Sequence, residues 1–98
     1  MVLVNEHHEE AFTMLNNSLA ECVDTQAIIV IHENSKNRTM RNSVVLEEFD
    51  LTDSSLYISG GWFQEEIKNI ANIQYAEEEQ CFYVTSEDGD LFILELGE

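Results

Sequence analysis

No proline occurs anywhere in this chain, and glycine occurs only four times in 98 residues. There is no low-complexity linker and no internal repeat, so nothing marks a boundary within the chain. Residues 1–98 are read as one acidic domain of ordinary size. The few glycines form neither a phosphate-cradling loop nor a Gly-x-Ser-x-Gly nucleophile elbow, so two common signatures of enzymatic chemistry are missing. Long hydrophobic runs are missing too. The longest, Ala27–Ile31, is far short of the roughly 20 apolar residues of a membrane-spanning helix. The Met1–Glu6 segment lacks the basic residues and apolar length of a secretory signal, and the expected location is the cytoplasm, or the host cytoplasm for a phage-encoded chain. Only two cysteines are present, Cys22 and Cys81. Their placement on an expected helix and an expected strand reads as two buried thiols in a reducing compartment.

Basic residues are the scarcest class relative to their opposites. Four Lys and Arg face twenty Asp and Glu, for a formal net charge of −16. Residues 51–98 contain eleven acids and the single base Lys68, while Lys36, Arg38 and Arg41 fall within one six-residue window. This balance excludes direct nucleic-acid binding, which relies on cations neutralising phosphates. It also disfavours an anionic membrane surface. A basic protein is the partner it suits. At duplex DNA's spacing of roughly 1.7 Å per charge, sixteen charges span about 27 Å. A domain of this length has a radius of gyration of roughly 13 Å. A DNA-like charge density is therefore expected.

What is present is a good core. Hydrophobic residues make up 44% of the chain, which argues against global disorder despite the charge. Asn5 can cap a helix whose first turns carry Glu6, Glu9 and Glu10. Phe12, Leu15, Leu19 and Cys22 or Val23 then recur at helical spacing, and a helix is expected over 6–22. Residues 26–33 are β-branched and apolar, the pattern of a central strand. Asn34–Asn37 is turn chemistry. Residues 38–42 read as a loop or as the start of a long returning strand. A second strand with a bulge is expected over 43–49, and a short one over 56–59, ended by Gly60-Gly61. Phe63, Ile67, Ile70 and Ala71 have helical spacing, which predicts a short second helix near 63–70. Residues 72–98 form the organising feature, a three-strand meander with the carboxylate-rich turns Glu77–Glu79 and Glu87–Asp90. Asp88-Gly89 is the strongest hairpin signal. The expected fold is α+β: an N-terminal helix packed on an antiparallel sheet of five or six strands, with a C-terminal β-meander. Such a sheet can curl toward a half-barrel.

The candidate chemistry is thin. His7-His8-Glu9-Glu10 reads as a solvated helix start. A metal would need further ligands, and only His32 remains to supply one. Carboxylate pairs such as Glu47-Glu48 are expected by chance among twenty acids, and a glycosidase needs two of them across a cleft. Asp88-Gly89-Asp90 lacks the spacing of a calcium loop. No catalytic residue, metal or cofactor is assigned.

The reading that remains is a non-enzymatic acidic inhibitor or interaction protein that blocks the nucleic-acid-binding surface of a basic nuclease or effector complex. Phage and mobile-element proteins of this nucleic-acid-mimic type act against restriction enzymes, CRISPR effectors and repair enzymes. The alternatives are an immunity or antitoxin protein for a basic nuclease toxin, or a structural or oligomerisation module whose charge serves solubility. The partner-binding candidates are Asp50, Asp53, Trp62, Glu65, Glu66, Glu77, Glu78, Glu79, Glu87, Asp88 and Asp90. They are expected to be spread over the surface, with the two meander turns at opposite ends of the sheet. Lys36, Arg38 and Arg41 are candidate contacts in a homodimer, set against the plainer reading of a solvated loop.

Overall fold

The computed structural model describes residues 6–34 and 37–96, the side chains of 6–9 excepted. Asn5 and Lys36 lie outside the described residues. Among the described residues, one helix, α1 (Glu6–Glu21), is followed by eight strands: β1 (Gln26–Glu33), β2 (Arg38–Val45), β3 (Glu48–Leu51), β4 (Ser55–Gly60), β5 (Phe63–Lys68), β6 (Ile70–Ala76), β7 (Cys81–Ser86) and β8 (Leu91–Glu95). All pair antiparallel with their neighbours, as a five-stranded sheet β2-β1-β8-β7-β6 and a three-stranded sheet β3-β4-β5. The class is α+β with a C-terminal meander. The strands divide between two sheets instead of lying in one sheet of five or six.

Two stretches of chain cross from one sheet to the other. The first runs from β2 into β3 through Leu46 and Glu47. Leu46 donates its N–H to Thr25 O and accepts from Asp24 N–H, while Glu47 N–H donates to Ser59 O. At this corner the backbones touch. A Cβ on Gly60 would lie 2.1 Å from Val45 O, so only glycine fits there. The second crossing runs from β5 into β6 through Asn69. Its φ of 57° is left-handed, a conformation asparagine tolerates better than most residues. The sheets are thus one antiparallel meander bent at two corners, its first strand closed against its last by β1–β8 pairing.

The second corner explains why no helix forms at 63–70. Residues 63–68 are strand β5. Phe63 and Ile67 face inward as period 2 requires, but the slot between them holds Glu65, which is only partly buried. The corner at Asn69 and the register shift between Ile70 and Asn72 then move the phase, so that Ile70 and Ile73 become the next buried positions. Apolar residues at 63, 67 and 70 therefore mimic a helical period. The first corner likewise splits the expected 43–49 strand. Residues 38–45 form one long strand, the second of the two readings given for 38–42, and 48–51 forms another.

One core joins all layers. Leu15 and Leu19 of α1 and Cys22 just after it pack with Ile29, Phe82, Val84, Phe92 and Leu94 of the larger sheet and with Leu56, Ile58, Phe63 and Ile67 of the smaller. Burial of these side chains, each worth about 1.5–3 kcal/mol for a Leu, Ile, Val or Phe, is what offsets the self-repulsion of the surface. α1 packs against β6, an edge strand of the larger sheet. Both cysteines are free and buried. No helix among the described residues is long and apolar enough to cross a membrane.

Candidate partner-binding surface

The two corners decide where the carboxylates fall. The β7–β8 turn is built by Ser86, whose buried Oγ accepts the N–H groups of Asp88 (3.2 Å) and Asp90 (3.0 Å). Gly89 closes it at φ 92°. Asn34, just beyond β1, donates its backbone N–H to Asp90 Oδ1 (2.8 Å) and its side-chain amide to Asp88 O (3.3 Å). Asp90 is thus bound into the turn, while the Asp88 carboxylate is left facing solvent. Glu87 N–H donates to Asn69 O at the β5–β6 corner, and Ile70 N–H donates to Ser54 O in the β3–β4 turn. These bonds draw the turns carrying Asp53, Glu87, Asp88 and Asp90 toward one end of the molecule.

At that end a cleft of about 220 Å³ opens between the sheets. Its floor is Ile31, Ile67 and Phe92, and its rim is Glu33, Glu65, Glu66, Lys68, Asp88 and Asp90. Five carboxylates therefore surround one recess that also contains a single lysine. Glu65 occupies an inward-facing position of β5, and its partial burial reflects the opening beside it. Glu33 accepts from Arg38 Nε at 2.7 Å and from its NH2 group, so part of its charge is neutralised.

Other candidates lie apart. Asp50 joins Glu47, Glu48, Phe49, Tyr57 and Val23 around a wider open recess of about 540 Å³ on the β3 side. Glu77, Glu78 and Glu79 are exposed in the β6–β7 turn. Meander geometry places this turn at the opposite end of the sheet from Glu87–Asp90, as expected. Glu79 is not a free carboxylate. It reaches back over β7 and accepts hydrogen bonds from Tyr83 Oη (2.5 Å) and Cys81 Sγ (3.6 Å). That bond pushes the Tyr83 phenol up to about 12. Burial, more than the nearby carboxylates, raises the Cys81 thiol. Among the described residues, no group of three His, Cys, Asp or Glu is arranged to hold a metal ion.

Trp62 stands at the β4–β5 hairpin tip with 82% of its surface exposed, edge-on to the buried Phe63 at 6.2 Å. Of the adjacent pair, Phe63 is core and Trp62 is surface. Arg38 is tied to Glu33 across the β1–β2 hairpin, and Arg41 is exposed on β2.

The sequence reading placed Glu65 and Glu66 away from the meander turns. The structure corrects this, since both share a cleft with Asp88 and Asp90. It also adds Glu33, which was not singled out. The signal for Glu33 was its place at the end of an apolar strand five residues before Arg38. No family model, curated protein or solved structure matches the chain.

Proposed function

We propose that this protein is a non-enzymatic acidic inhibitor that occupies the nucleic-acid-binding surface of a basic protein, a nuclease or effector complex, in the cytoplasm. The observation that carries this reading is the cleft rimmed by Glu33, Glu65, Glu66, Asp88 and Asp90. The strands and the hydrogen-bonded turn that carry these carboxylates are ordered, and Asp90 and Glu33 are themselves held by hydrogen bonds. The carboxylates can accept bonds from Arg and Lys side chains that otherwise grip phosphates, with the backbone that carries them already fixed. Along the 41 Å long axis, the net charge of −16 amounts to one per about 2.6 Å, against roughly 1.7 Å for duplex DNA. The average is thus sparser than DNA, and the mimicry is local, concentrated at the cleft end.

The test is capture of basic proteins on the immobilised chain at low salt, followed by a salt gradient and competition with duplex DNA. The expected result is a basic nucleic-acid-binding protein that elutes steeply with salt and is displaced by DNA. A complex insensitive to both would exclude the proposal. If the captured protein is a toxin encoded beside this chain, the same electrostatics would serve as immunity.

A further inference from the structure

The outward face of the five-stranded sheet is covered by no described element, and it differs from the rest of the surface. Its side chains follow from the strand register opposite to the buried set. Ile28, Val30 and His32 come from β1, Leu91, Ile93 and Glu95 from β8, and Tyr83 and Thr85 from β7. β2 adds Thr39, Arg41, Ser43 and the 52%-exposed Val45. In a chain of net charge −16, the cationic and anionic groups here reduce to Arg41, Glu95 and Glu79, which reaches over from the β6–β7 turn, with His32 bonded to Thr39. The face is a strip of Ile28, Val30, Leu91 and Ile93 along β1 and β8. Arg41 flanks it on one side and the Glu79–Tyr83 pair on the other.

The occupant must tolerate the charge around this strip. A basic partner would find its carboxylates elsewhere, at the cleft and along β3. A second copy of the chain fits. Register aligns Arg41, Val30, Ile93 and Tyr83 in one row across the sheet. Consider a two-fold axis running parallel to the strands, between β1 and β8. It reverses each row, setting Val30 against Ile93 of the second copy, Ile28 against its Glu95, Leu91 against its His32, and Arg41 against its Tyr83–Glu79 pair, twice. An axis across the strands would instead set Arg41 against Arg41. The base and the acid are placed as an isologous interface requires, and sheets stacked face to face lie about 10 Å apart, within reach of these side chains.

We infer that the protein forms a two-fold homodimer through the outward face of its five-stranded sheet, with Val30 and Ile93 as the apolar centre, Ile28 and Leu91 beside it, and Arg41–Glu79 pairs at the sides. The inference is independent of the proposed inhibitor role, because the dimer leaves both acidic clefts facing outward.

Mass in solution tests it, by sedimentation equilibrium from micromolar to near-millimolar protein at low and high salt. The expected species has twice the 11.3 kDa chain mass. Its association should strengthen with salt, as repulsion between two strongly acidic copies is screened. A basic partner's complex responds in the opposite sense, which separates the two ideas. Arg41→Glu should weaken association at least about tenfold, and Glu79→Arg likewise. The double variant R41E/E79R should recover it by restoring opposite charges. Circular dichroism would confirm that each variant is folded. A chain that stays at the monomer mass throughout overturns the inference. So does a dimer indifferent to both charge reversals, or a loss of basic-protein capture on Arg41→Glu with no change in mass.

Discussion

The two sheets turn opposite kinds of surface outward. Outside the three-stranded sheet stand Glu48, Asp50, Tyr57, Ser59, Gln64, Glu66 and Lys68, with Gln64 Nε2 donating to Tyr57 Oη at 2.7 Å. Outside the five-stranded sheet stand Ile28, Val30, Leu91 and Ile93. Both have the same pleat and the same alternation, and both turn their other side to one shared core. Amphipathic alternation accounts for the small sheet fully, as polar side out and apolar side in. It accounts for only half of the large one, whose central strands are apolar on both sides. A strand such as Ala27–Ile31 that is apolar at every position expects cover on both faces, and the described residues supply it on one.

That contrast can be broken most sharply within β1. Ile29 is fully buried and Ile28, its neighbour, points the other way. Ile29→Ala should cost about 2–5 kcal/mol, because it removes transfer energy and leaves a cavity. Ile28→Ala should cost less, about 1 kcal/mol in dilute solution, because Ile28 is only half-buried. Denaturant unfolding at low protein concentration measures both. Equal costs would mean the outward face is already covered within one chain.

The corner comes next. Gly60→Ala sets a methyl group against Val45 O, backbone against backbone, where no side chain can swing aside. A loss of about 2 kcal/mol is expected from such overpacking, read as a lowered denaturation midpoint. A neutral result would show that the two sheets can separate at this corner.

The acidic region should respond in the other direction. Replacing Glu65 and Glu66 by Gln and Asp88 by Asn removes three charges from one cleft while Asp90, which holds Asn34, is kept. Stability should rise by up to about 1 kcal/mol as repulsion is relieved, while affinity for a captured basic protein falls about tenfold or more. The same treatment of Glu77 and Glu78, at the far turn, should change affinity less. If both triplet and pair weaken the complex equally, the recognition is spread over the whole surface and is not centred on the cleft.

How much of this was legible in the sequence follows the range of each signal. α1, β1, β4 and the meander came through because helical stripes, β-branched runs and Asp88-Gly89 are local. The division into two sheets did not, because it depends on Gly60 meeting Val45 and on Asn69 turning left-handed, and neither shows as a periodicity. The β5 strand was mistaken for a helix through the same corner and through Glu65 in an inward slot. Individual acids were readable as surface, but their convergence was not, because Glu33, Glu65 and Asp88 meet only once strands 1, 5 and 8 are in place. The outward strip was hidden for a further reason. A fully apolar strand gives no sign of which of its faces will be left open.

The smallest effect tests Glu79, which with Glu95 is one of two acids at the apolar face. Glu79 accepts the Tyr83 hydroxyl proton in a short bond, which raises that phenol from the usual 10.0 to about 12. The folded protein holds this proton more tightly than the unfolded chain does. The bond's contribution is therefore complete below about pH 10 and is lost as pH rises from there to about 12, where tyrosinate would face a carboxylate. Tyrosinate absorbance should show one phenol ionising near the upper end of that window, and Glu79→Gln should move it down. Because the side chain is well solvated, the change in stability should be slight. If the titration is unmoved by Glu79→Gln, Glu79 is a freely solvated turn residue like Glu77 and Glu78. The acid on the β7 side of the apolar strip would then be lost, leaving Arg41 at one side and Glu95 at the end of β8.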